Sequence, residues 1–81
     1  MTTRKGGFVV PPEMKGVYSS SVKSIGYDDV NRSLYVLWES GKTSIYGNVP
    51  PDVAFRAENA WSVGKFIREE VQGNYAHRYA G

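Results

Sequence analysis

Between residues 19 and 48 apolar and polar positions alternate with period two, and beyond residue 50 the apolar positions recur every three or four residues. The first texture is that of half-buried strands, the second that of helices. Runs rich in β-branched and aromatic residues predict strands over 22–28, 33–39 and 43–48, separated by turn residues at 28–32 and 39–42. Such short connections make an antiparallel meander. Gly41 suits the left-handed position of the second turn, and Gly26 marks a bulge or a close approach of another backbone.

In the second strand Leu34, Val36 and Trp38 share one face, while Tyr35, Leu37 and Glu39 share the other. Burying the Leu34 face puts Trp38 in the core. Tyr35 and Leu37 then make the opposite face more apolar than a solvent face needs to be, which marks a contact surface.

After Val49-Pro50-Pro51 a first helix is expected, with proline at its start, Asp52 against its N-terminal dipole, and Val53, Ala57, Ala60 and Trp61 on one face. Ser62 reads as the N-cap of a second helix, in which Val63, Phe66, Ile67 and Val71 form the apolar stripe and Gly73 is the stop. Neither layer can bury its apolar side alone. The expected fold is therefore α+β: a three-stranded antiparallel meander followed by two helices packed on one face. Residues 1–18, with three glycines and a Pro-Pro pair, read as a flexible extended arm, and 19–81 as a single domain. Phe8, Val9 and Val10 give the arm an apolar patch that packs on the body or adds to a sheet edge of a partner.

An 81-residue chain without cysteine has neither disulfide nor thiolate zinc to support its core. No apolar run approaches the roughly 18 residues of a membrane span, so a cytoplasmic monomer is expected. The net charge of +2 is too small to imply nucleic acid by itself.

Chemistry is sparse in this sequence. His77 is the one histidine, with no cysteine to act as nucleophile and no second histidine to complete a metal site, and it reads as a solvated surface residue. Asp28 and Asp29 are adjacent carboxylates, but an aspartate at a strand-to-turn junction bonds turn amides. No glycine-rich phosphate loop occurs. The expectation is a protein that is not an enzyme and needs no cofactor or metal.

The Ser-Ser lead-in before Val22, the block Ile25-Gly26-Tyr27-Asp28, Leu34 and Val36 with an aromatic at 38, and Gly41 occur in a characteristic order. So do Tyr46, Val49-Pro50, Ala60-x-Ser62-x-Gly64-x-Phe66, Val71 and Tyr75. From Ser19 to about Tyr75 the chain resembles the KTSC domain, a family of small bacterial and phage proteins that is also appended to the C-terminus of some lysyl-tRNA synthetases. Three residues depart from the family pattern: Ser44 in place of Tyr, Ile67 in place of an aromatic, and Arg68 in place of Asn. The last alters any polar site that the Asn supports.

The resemblance implies no assigned activity. Its phage occurrences imply a small protein-binding regulator of a multi-subunit machine such as RNA polymerase, for which Phe8, Val9, Val10, Tyr35 and Leu37 are the expected contacts. Its synthetase occurrences imply the alternative, an RNA- or DNA-binding accessory domain. That role would use Arg4, Lys5, Lys15, Lys65, Arg68 and Arg78 on phosphates and Tyr79 on bases.

Overall fold

A computed structural model describes residues 12–80. Five strands form one antiparallel sheet in sequential order: β1 (Lys15–Gly16), β2 (Val22–Asp28), β3 (Ser33–Trp38), β4 (Thr43–Gly47) and β5 (Ala76–Tyr79). Between β4 and β5 the chain makes α1 (Pro51–Glu58) and α2 (Val63–Phe66), which runs on into a π-helical turn, Ile67–Val71. The expected fold of three strands and two helices is thereby corrected. The three central strands and the α+β class remain, but β1 adds a strand before them and β5 another after the helices.

Both additions lack the signal by which strands are read. β1 has two residues, too few for alternation, and every residue of β5 is exposed, so no buried face leaves its imprint on the sequence.

The core lies between the sheet and the helices. Val22, Ile25, Leu34, Val36 and Tyr46 from the strands meet Ala54, Ala57, Val63, Ile67 and Val71 from the helical layer. Each aliphatic side chain buried there contributes about 1.5–3 kcal/mol. Tyr27 reaches across the edge of this layer, and its hydroxyl donates to the Val49 carbonyl at 2.5 Å, fixing the entry to α1. Trp38 is only partly buried and packs against the cluster from its margin.

On the opposite face the cross-strand pairs Gly26–Tyr35 and Tyr35–Ile45 set three residues side by side. Here the chain crosses the sheet: a Cβ at Gly26 would lie 2.6 Å from the Glu13 carbonyl oxygen and 2.8 Å from the Met14 sulfur. Gly26 thus answers a close backbone approach, while the bulge falls earlier, between Val22 and Ser24. Gly41 adopts a φ of +96°, as its turn requires.

Candidate functional site

Two surfaces flank the helical layer. The first is built where α1 stops. Asn59 closes that helix by donating its backbone N–H to the Phe55 carbonyl at 3.2 Å and its side-chain amide to the same carbonyl at 2.8 Å, while the Ala60 amide turns back to the Ala57 carbonyl. The chain therefore leaves helical register before residue 61. Trp61, which periodicity places under the helix beside Ala57, instead stands in the connection and is 101% exposed. Tyr18, in the segment between β1 and β2, is also 101% exposed. Both residues line one groove of about 640 Å³, together with Val17, Ala60 and Val63. Lys15 and Glu58, an ion pair 3.4 Å long, lie on its rim. A second, smaller recess on the other side of Trp61 is lined by Lys65, Phe66, Glu69 and Glu70.

The second surface sets two cations and several serines around the Trp38 and Tyr79 rings. Ser19 Oγ accepts from the Ser21 and Val22 amides at 3.2 and 3.1 Å, which locks the lead-in to β2. α2 lies against this lead-in through Gly64, where any Cβ would collide with Ser21 Oγ. Ser62 caps the helix, its Oγ accepting from the Lys65 amide at 3.4 Å. The π-helical turn, closed by the Gln72 amide on the Ile67 carbonyl at 2.8 Å, keeps Ile67 and Val71 in the core and puts Arg68 and Gln72 on the wall of a groove of about 400 Å³. Arg68 Nη1 donates to Ser21 Oγ at 3.3 Å, and Trp38 Nε1 donates to Ser44 Oγ at 2.8 Å.

The family assignment now rests on both sequence and fold. The family model of the KTSC domain matches residues 18–75, most of the chain. The chain belongs to the KTSC domain family. A crystal structure of a KTSC domain protein from Yersinia pestis superposes with a TM-score of 0.81 at 33% identity, covering 88% of this chain and 100% of that one. A protein of Tsukamurella paurometabola is 32% identical over 62 residues, spanning 76% of this chain and 92% of its own length. The Ser19–Ser21 lead-in, Gly64 and Arg68, separate in sequence, meet in this KTSC domain, and Ser21 and Arg68 continue from there into the lining of the second groove.

The residues expected at a protein interface fare unevenly. Phe8, Val9 and Val10 lie outside the described residues, as do Arg4 and Lys5. Tyr35 is 7% exposed between Gly26 and Ile45, so it offers little surface, and Leu37 is half-buried. Of the basic set, Lys15 is engaged with Glu58, Lys65 borders the Trp61 recess, and Arg68 lines the second groove with Tyr79. Arg78 pairs with Ile45, on the sheet face away from the helices. These cations do not gather into one track. Asp28 takes the turn role expected of it: Oδ1 accepts from the Val30 and Asn31 amides at 3.1 Å, and Oδ2 from Asn31 Nδ2 at 2.8 Å. The asparagine side-chain bond first, and the amide bonds after it, hold the carboxyl below its ordinary value. Burial pushes the Tyr27 hydroxyl up.

Sequence reasoning missed Tyr18 and Trp61 as surface residues. The available signal was Asn59-Ala60, a helix stop two residues before the tryptophan. Among the described residues no helix is long and apolar enough to cross a membrane.

Proposed function

We propose that this KTSC domain is a non-enzymatic binding module whose ligand is another protein, held at the groove between Tyr18 and Trp61. The observation that carries the proposal is the complete exposure of both rings at one shared groove. Isolated exposed apolar residues are ordinary, but two large aromatics lining one concavity make a contiguous patch. Tryptophan and tyrosine dominate binding energy at protein interfaces because they bury much area at small entropic cost. The site thus moves from Tyr35 and Leu37 to the groove where β1 and the segment after it meet the end of α1. A regulator acting in the cytoplasm on a multi-subunit machine such as RNA polymerase is the partner class that the family's phage members support.

The test is affinity capture from bacterial lysate with tagged wild-type protein and with Trp61→Ala, each with and without nuclease. The expected result is a protein that survives nuclease and is lost from the Trp61→Ala sample. Capture lost on nuclease treatment would make nucleic acid the ligand and overturn the proposal.

A further inference from the structure

The groove beside Arg68 shares no lining residue with the Tyr18–Trp61 surface, and it sets charged and hydroxyl side chains around a lining that is itself mostly apolar. Its volume of about 400 Å³ falls within the roughly 300–1,000 Å³ of small-molecule sites. Two cations reach it, Lys42 from the turn between β3 and β4 and Arg68 from the π-helical turn. Among the described residues neither makes an ion pair, the contact of Lys15 with Glu58 being the one found. Arg68 gives one N–H to Ser21 and keeps further donors in its planar fork, a geometry suited to phosphate oxygens.

Aromatic surface lies beside this charge. The Tyr79 ring is 58% exposed, and Lys42 Nζ sits 5.4 Å from its centroid. His77 makes an edge-on contact with that ring at 4.6 Å, which braces it. The Trp38 indole is held by its bond to Ser44, which is 2% exposed, and this wall is therefore set before a ligand arrives. Glu39 is the one carboxylate at the rim and accepts hydrogen bonds from hydroxyl groups.

Unneutralised cations next to an exposed ring, with a hydroxyl acceptor alongside, describe a complement to a phosphate, a flat base and a sugar. We infer that the groove binds a nucleoside monophosphate, its phosphate between Lys42 and Arg68, its base on Tyr79 and its ribose hydroxyls toward Glu39. The site is separate from the protein-docking surface, and neither depends on the other.

The experiment is an amide and indole NMR titration of the full chain with AMP, adenosine, inorganic phosphate and benzoate. AMP is expected to move the Trp38 indole N–H saturably at millimolar concentrations while the Trp61 indole stays in place, and adenosine or phosphate alone to bind at least about tenfold more weakly. Arg68→Ala and Lys42→Ala should each weaken AMP about tenfold with the remaining spectrum unchanged. A 5′-phosphorylated dinucleotide separates the two sources of this chemistry: tighter binding than AMP identifies a strand end, weaker binding a free nucleotide. A Trp38 indole unmoved by AMP would overturn the inference. So would adenosine or benzoate binding as tightly as AMP.

Discussion

The two tryptophans occupy opposite circumstances in one small domain. Trp38 is half-buried at the end of β3, ties its indole to Ser44 and leans on the core. Trp61 sits in the connection after α1 with its whole surface in solvent. Periodicity assigns both to the core, because a pattern of apolar positions records which residues avoid water and not what covers them. The strand is long enough to carry its pattern to Trp38. The helix ends at Glu58, and the pattern of its face has no meaning beyond that point.

The largest expected effect lies on the buried side of this contrast. Trp38→Ala should cost about 3 kcal/mol in chemical denaturation, through lost packing and an orphaned Ser44 hydroxyl. A midpoint equal to that of the wild type would place Trp38 outside the core margin. Next, Trp61→Ala should weaken partner binding by about 2 kcal/mol or more while changing folding stability by at most about 0.5 kcal/mol. A calorimetric binding isotherm and a melting curve on the same sample separate the two quantities. A loss of stability comparable to that of Trp38→Ala would erase the distinction between the two rings.

Gly64→Ala probes the packing of α2 on the lead-in to β2. The added Cβ collides with Ser21 Oγ, and separating α2 from the β2 lead-in should cost about 1–2 kcal/mol by thermal melting. Unchanged stability would mean that Ser21 turns aside freely and that this packing is not fixed.

The smallest effect lies away from both tryptophans, at Asp28. Its carboxyl titrates below the ordinary value in the folded chain, so its bonds stabilise the fold above that value, and the contribution disappears as pH falls through the lowered one. Asp28→Asn should flatten this part of the acid limb of stability against pH. An acid limb identical to that of the wild type would assign the dependence to other carboxylates.

How much of this was legible follows from the same physics. β2, the faces of β3, the Ser62 cap, the left-handed Gly41 and the turn role of Asp28 are all local, and each leaves a residue-level mark. β5 is made by pairing with β4 and has no buried side, so only the tertiary fold reveals it. The burial of Tyr35 beside the crossing of Glu13 and Met14 is likewise a long-range fact. Of the site, Arg68 stood out as a departure from the family, whereas its meeting with Ser21 and Gly64 depends on how α2 docks on the sheet.

Protein docking at the exposed aromatics can be read out by a photo-crosslinking amino acid placed at Trp61, at Tyr18 and, as a control, at Val30, which is 85% exposed in the turn between β2 and β3. Positions 61 and 18 are predicted to yield one and the same protein adduct in bacterial lysate, with none from position 30. Adducts formed equally from position 30, or nucleic acid as the captured species at position 61, would contradict it.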